Sequence, residues 1–134
     1  MSSLNKDTLQ KVRQWLAYAK EDLHFARHGL KLGSDCPFRL VAYHAQQCAE
    51  KSLKAFLVFH GDDFPFTHNI SALLERCEKY AGWINRLEEA EELTVYAISV
   101  RYPGIDEIVT AEQANDAVII ASNVYEIILA ELPI

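Results

Sequence analysis

The segment from His44 to Lys54 concentrates the side chains of this chain that are best suited to hold an anion. Placed 100° apart on a helix, five residues fall in one polar sector, which we call the polar sector throughout: His44, Gln47, Glu50, Lys51 and Lys54. Lysine binds phosphate as a point charge. The sector is therefore either an ordered groove for anionic groups or a solvated helix face. On a solvated face, Glu50 and Lys54 would form an i,i+4 pair worth about 0.3 kcal/mol.

Asp22 stands at the edge of the apolar stripe of the first predicted helix, on the same side as Trp15. A carboxylate in that position is expected to be half-buried and to need a cation. Lys51 and Arg101 are partners of the right type. A structural ion pair explains Asp22 without catalysis, and such a buried pair adds little net stability but is costly to break on one side only.

Arg101 is followed by Tyr102, Pro103 and Gly104 at the end of a predicted helix. An arginine there can satisfy terminal carbonyl groups and complement the helix dipole. Alternatively, its rigid guanidinium fork can hold a phosphate. The sequence leaves both roles open.

A second group with possible chemistry is Glu21, His24 and His28, which share one face of the first helix at metal-like spacing. That face lies opposite the apolar stripe, toward water. A di-iron bundle would require a Glu-x-x-His pattern on each of two helices, and the chain has it on one. The chain also lacks a Gly-rich phosphate loop and a GxSxG motif. We therefore expect no metal site and no cofactor.

The elements that position these residues are predicted to be helices. Asp7 with Gln10 resembles a capping box, and apolar residues then recur at steps of three and four until Gly33 is placed to end the helix. Asp35 followed by Pro37 is a start signal for a second helix, which runs to about residue 60.

The second half of the chain continues the helical pattern. Asn69 can cap a short helix, Asn85 begins a capping-box pattern for a helix over about residues 86–101, and Thr110 with Gln113 repeats that pattern for the last helix. No segment alternates with the period of a strand. We expect one all-α domain over residues 1–134, an up-and-down four-helix bundle with one short additional helix.

Composition excludes several classes of protein. Half of the residues are hydrophobic and 24% are charged, as in a globular domain with a real core. The net charge of −6 is divided unevenly, +2 over residues 1–74 and −8 over residues 75–134, so a broad DNA-binding surface is not expected. No apolar stretch approaches the ~20 residues of a membrane span, and the N-terminus lacks a signal-peptide core. The predicted location is the cytoplasm.

Three cysteines without a CxxC pair are predicted to be buried or half-buried thiols: Cys36, Cys48 and Cys77.

Four motifs follow one another along nearly the whole chain. They are Trp15-x-x-x-Ala19-x-x-Asp22-Leu23-x-x-Ala26, Ala45-Gln46-Gln47-Cys48-Ala49-Glu50-Lys51-Ser52-Leu53-Lys54-Ala55-Phe56-Leu57, Thr67-His68-Asn69-Ile70 and Arg101-Tyr102-Pro103-Gly104. In this order they resemble the HEPN domain family (higher eukaryotes and prokaryotes nucleotide-binding), in particular its RYP-type prokaryotic branch.

The resemblance implies a homodimeric helical bundle that binds a nucleotide or RNA. Many prokaryotic relatives work beside a minimal nucleotidyltransferase, in pairs where the HEPN protein is the toxin and the nucleotidyltransferase its antitoxin. Residues matching polar positions of the family then receive roles. Phosphate contacts are expected from Lys51, Lys54 and Arg101, base or ribose contacts from Gln47 and Tyr102, and support from Asp22, Glu50 and His68.

The resemblance also raises the question of catalysis. Active members are metal-independent ribonucleases in which an arginine and a polar residue are followed, several residues later, by a histidine. Here no histidine follows Arg101. We therefore expect a binding module rather than a catalyst, with Arg101 as the sole catalytic candidate. A metal-independent ribonuclease toxin is the first alternative. The second is a structural oligomerisation bundle in which the polar sector is only a solvated face.

Overall fold

The computed structural model describes residues 6–101 and 108–134, apart from the side chains of residues 84, 85 and 99–101. Five α-helices follow one another: α1 (Lys6–Gly29), α2 (Phe38–Phe59), α3 (Ile70–Cys77), α4 (Thr94–Arg101) and α5 (Ala111–Glu131). Two 3₁₀ segments, Leu30–Asp35 and Ile84–Leu93, lie between them. No strand occurs within these ranges, and the all-α prediction is confirmed.

The turn from α1 to α2 departs from the predicted boundaries. Asp7 lies inside the first turn of α1 rather than at its cap. The helix ends at Gly29 instead of Gly33, and Gly33 adopts a φ of +69° within the 3₁₀ segment, where glycine avoids strain. Pro37 is the N-cap of α2, without a side-chain cap hydrogen bond, so Asp35 does not cap this helix.

Helix α2 is the centre of the fold. It packs along α1 and α5 and also contacts α3 and α4. Its apolar residues enter one continuous core with those of its neighbours. Fully or almost fully buried members of that core include Leu23, Leu53, Phe56, Leu57, Leu73 and Ile128. Because α2 is covered on several sides, part of its polar sector is buried too.

Two of the predicted capping motifs in the second half are confirmed and one is wrong. The Asn69 side chain accepts a hydrogen bond from the Ala72 backbone N–H at 3.2 Å. Thr110 forms the predicted reciprocal capping box at the start of α5. Asn85, by contrast, begins no α-helix, because it lies inside the 3₁₀ segment Ile84–Leu93.

The 3₁₀ geometry of Ile84–Leu93 has a packing reason. Its buried side chains are three residues apart, at Leu87, Ala90 and Leu93. A 3₁₀-helix has three residues per turn, so these side chains stack on one side and face the core together. The region expected to form one long helix over about 86–101 therefore divides into a 3₁₀ segment and the eight-residue α4.

Burial of the cysteines agrees with the prediction. Cys36, Cys48 and Cys77 are buried and free. Burial raises the pKa of both Cys48 and Cys77 to about 12, which keeps these thiols protonated and unreactive. Among the described residues, no helix is long and apolar enough to cross a bilayer.

Candidate functional site

Asp22 joins α1 to the polar sector of α2. Its Oδ2 accepts a hydrogen bond from the Lys51 ammonium at 2.7 Å, and its Oδ1 lies 2.8 Å from Nδ1 of His44. Asp22 is buried, and these two side chains satisfy both of its carboxylate oxygens. Because an ionised carboxylate only accepts, Nδ1 of His44 carries the proton in this pair. The imidazole is thereby fixed in orientation and tautomer.

Glu50, which directly precedes Lys51 in the sequence, organises a second cluster. Its Oε2 accepts from the Lys54 ammonium at 2.8 Å. Its Oε1 accepts from the Gln46 amide and lies near Nδ1 of His68, both at 2.9 Å, and it also accepts from Gln47 at 3.3 Å. The four donors come from α2 itself and from the loop that precedes α3.

The Glu50 carboxylate is held in its charged form. Burial by itself would raise its pKa, but hydrogen bonds from Lys54, Gln46 and His68 outweigh that effect and lower the pKa of Glu50. The group is thus an anion at neutral pH, and Nδ1 of His68 donates to it. This second carboxylate–imidazole pair repeats the arrangement of Asp22 with His44.

Lys54 lies beneath the surface. The side chains of Lys54 and Glu50 are 7% and 3% exposed. The Lys54 ammonium is 5.5 Å from the centre of the Trp15 ring and 5.8 Å from that of Phe66. Cation–π contacts of this kind stabilise an ammonium that has left water. Gln47 is also buried and donates to Gln46 at 2.7 Å. Lys54 and Gln47 therefore support the site from inside.

Three other side chains of the site reach solvent. The exposed fractions are 24% for Lys51, 28% for His44 and 33% for His68. The two carboxylates and two ammonium groups balance one another in charge, so protonation of either imidazole makes the site positive. The Lys51 ammonium can donate hydrogen bonds to an anion directly, and each imidazole can do so through Nε2 in its protonated form, because its Nδ1 proton is already donated to a buried carboxylate.

The loop over residues 60–69, which carries Phe66 and His68, is anchored at both ends. At its start, Asp62 accepts from Arg76 at 2.8 Å and from the Tyr80 hydroxyl at 2.6 Å. At its end, the Gln46 amide donates to the backbone carbonyl of His68 at 3.1 Å. The hydrogen bonds of Asp62 also lower its pKa against the opposing effect of burial. The loop is thus fixed to α2 and α3 in a way that presents His68 to Glu50.

Most of the residues predicted from the sequence come together. The structure brings the following into the two adjoining clusters: Asp22, Gln47, Glu50, Lys51, Lys54 and His68. Of the two cations suggested for Asp22, Lys51 fills that place. Tyr102 and the side chain of Arg101 lie outside the described residues. Glu50 and Lys54 do not form a solvated pair, because both are buried.

Some residues and contacts of the site were not predicted from the sequence. Gln46 is fully buried and bridges Glu50 to the loop, and its i,i+4 spacing to Glu50 was a signal available in the sequence. His44 was placed in the polar sector, but its partner Asp22 is 22 residues away. Trp15 and Phe66 approach Lys54 from different elements, and no local pattern marks such contacts.

Two other groups of polar residues are less suited to anionic ligands. A groove of about 550 Å³ is lined by carboxylates that repel phosphate, including Glu75, Glu78, Glu88 and Glu91. His24 and His28 are exposed on the outer face of α1. In the part of the chain that the structure describes, no group of His, Cys, Asp or Glu side chains is arranged to hold a metal ion.

Comparisons with known proteins agree with this architecture. The family model of the HEPN domain matches residues 12–132. A crystal structure of a Thermus thermophilus protein is similar with a TM-score of 0.79 and 27% identity, covering 91% of this chain and 98% of that one. A crystal structure described as an archaeal HEPN homologue is similar with a TM-score of 0.71 and 25% identity, covering 90% and 96%. A search of the curated proteins found no match. Since the family model spans most of the sequence, the chain belongs to the HEPN domain family.

Proposed function

We propose that this HEPN domain binds the phosphate groups of a nucleotide or RNA at the surface formed by His44, Lys51 and His68. The observation that carries the proposal is the double arrangement at α2. Two buried carboxylates, Asp22 and Glu50, each orient an imidazole and an ammonium group. Donors fixed in this way lose little side-chain freedom when they bind an anion.

Arg101 and Tyr102 complete the proposed site. Helix α4, which ends at Arg101, packs against α2, the helix that carries Lys51. The RYP-type motif at residues 101–103 supports a guanidinium contact to the same phosphate and a Tyr102 contact to base or ribose. Burial supports a division of roles among the other residues. Lys54 and Gln47 hold Glu50 in place, while Lys51 makes the direct phosphate contact.

An equilibrium titration tests the proposal. ATP, GTP and a short RNA are each titrated into the wild-type protein and into Lys51→Ala plus Arg101→Ala. Loss of charge-assisted hydrogen bonds predicts at least an approximately tenfold weaker affinity. The matched control is Lys20→Ala plus Arg86→Ala, which removes the same charge from exposed positions. Affinity that is equal in all three proteins refutes the phosphate assignment, as does the absence of binding to the wild type.

We further propose that the domain forms a homodimer and pairs with a minimal nucleotidyltransferase in a prokaryotic toxin–antitoxin-type system. Family membership and the RYP-type motif at residues 101–103 support this assignment. Light scattering during size-exclusion chromatography measures the first claim, and a mass of twice 15.2 kDa is expected. Co-purification with the product of the adjacent gene tests the second. A monomer, or a neighbour that is no nucleotidyltransferase, contradicts the corresponding claim.

A second candidate function is metal-independent RNA cleavage. It is favoured by the two carboxylate–imidazole pairs, since a histidine oriented by a carboxylate can act as general acid or base. This candidate predicts RNA cleavage in the presence of a chelator, lost in Arg101→Ala and reduced in His44→Ala. RNA left intact by the purified wild-type protein eliminates it.

A further inference from the structure

Phe66 is the large apolar side chain with the greatest exposure among the described residues, at 93%. A fully exposed phenylalanine side chain gains nothing from the hydrophobic effect in the isolated chain. It belongs to the loop between α2 and α3 rather than to the core. Its position therefore calls for an explanation other than folding.

The Phe66 ring borders the polar site. Its centre lies 5.8 Å from the Lys54 ammonium and 5.9 Å from the centre of the His68 imidazole, in an edge-to-face arrangement. These contacts involve only a small part of the ring, since nearly all of the residue remains accessible. An open aromatic surface thus stands at the edge of the proposed phosphate site.

The loop backbone that carries this ring is held in a defined place. Asp62 ties the loop to α3 through Arg76 and Tyr80, and Gln46 ties the His68 carbonyl to α2. Pro65, directly before Phe66, restricts the backbone further. Because the loop backbone is already anchored, it loses little conformational entropy when the ring contacts a ligand.

From these contacts we infer that Phe66 is a stacking platform for the base of a nucleotide whose phosphate is bound at Lys51 and His68. This inference rests on the proposed phosphate-binding function and adds a base-binding subsite to it. Every nucleobase has a flat π face, so stacking on Phe66 would favour nucleotides over bare phosphates without selecting one base. The subsite is thus expected to accept both purines and pyrimidines.

The test compares ATP with inorganic triphosphate, because only ATP carries a base. Phe66→Ala is expected to weaken ATP binding about 5- to 150-fold and to affect triphosphate binding far less. Phe66→Trp should keep ATP binding, whereas Phe66→Leu, which is apolar but not aromatic, should lose it. Ile119→Ala is the matched control, as it removes another exposed apolar side chain, from α5.

A 2-aminopurine nucleoside triphosphate gives a direct signature of stacking. Its fluorescence should be quenched by the wild type and by Phe66→Trp, but not by Phe66→Ala. Since Phe66 is exposed, the melting temperature of each variant should equal that of the wild type, which separates a binding defect from a folding defect.

The outcomes distinguish this inference from the function on which it rests. If ATP and triphosphate bind the wild type and Phe66→Ala equally well, the stacking subsite is refuted and phosphate binding stands. If neither ligand binds the wild type, both ideas fail. If Phe66→Ala instead dissociates an oligomer and leaves ATP binding intact, the ring is a contact to a second copy of the chain and the inference is overturned.

Discussion

Replacing Glu50 by glutamine tests whether the buried network is organised by charge. The substitution keeps the size of the side chain but removes its negative charge and turns one acceptor oxygen into a donor. The Lys54 ammonium, with its side chain 7% exposed, then lacks a full counter-charge. Breaking one side of a buried ion pair costs about 3–5 kcal/mol. That is a large share of the roughly 5–15 kcal/mol by which a domain is stable.

Urea denaturation followed by circular dichroism measures this loss. Glu50→Gln should lower the free energy of unfolding by about 3–5 kcal/mol, whereas Glu75→Gln, the same change at an exposed position, should alter it by less than about 0.5 kcal/mol. Adding Lys54→Met to Glu50→Gln removes the unpaired charge and should restore part of the loss. Equal effects of Glu50→Gln and Glu75→Gln, with no recovery in the double variant, would refute the reasoning.

The same variant has a predicted pH signature. The pKa of Glu50 in the folded chain lies below its ordinary value of 4.5. Its contribution to stability is therefore complete above that ordinary value and is lost as the pH falls through the lower folded-state pKa. The wild type should lose stability on acidification more steeply than Glu50→Gln. Parallel stability curves for the two proteins would contradict the lowered pKa.

Three further predictions concern helix packing, helix capping and the reactivity of the buried thiols. Gly29→Ala should destabilise the fold by about 1–2 kcal/mol in urea denaturation, because its Cβ would stand 2.8 Å from a methyl group of Val41 in α2. Gly82→Ala, with open space around it, should not destabilise the fold. Equal effects of the two substitutions would exclude the close approach. Thr110→Ala should cost about 1 kcal/mol by the same measurement through loss of the α5 capping box, and an unchanged midpoint would show that the cap contributes nothing. Cys48 and Cys77 should resist a thiol reagent in the native protein and react in denaturant, since burial raises the pKa of each to about 12; rapid native labelling would contradict their burial.

Local patterns in the sequence predicted the features that depend on a few neighbouring residues. Thr110 and Gln113 satisfy each other within one helical turn, and Asn69 caps the helix that begins at the next residue. Asn85 has the same type of pattern but fails, because core packing at every third residue favours a 3₁₀ segment there. Helical spacing also placed Lys51 correctly within the polar sector.

Long-range contacts account for what the sequence could not supply. Asp22 and Lys51 are 29 positions apart, and Glu50 and His68 are 18 apart, so their pairing depends on how α1 and the loop pack on α2. Helical spacing predicts the direction of the Lys54 side chain, but not which residues of other elements approach it. Trp15 reaches the Lys54 ammonium from α1, and Phe66 approaches it from the loop.

Histidine resonances offer the most direct test of the proposed phosphate site. The imidazole signals are followed by NMR during titration with ATP, and each is assigned with a histidine-to-glutamine variant. The signals of His44 and His68 should shift and saturate together, whereas those of His24 and His28, on the outer face of α1, should stay in place. Shifts confined to His24 and His28, or no shift at any histidine, would contradict anion binding at the polar sector.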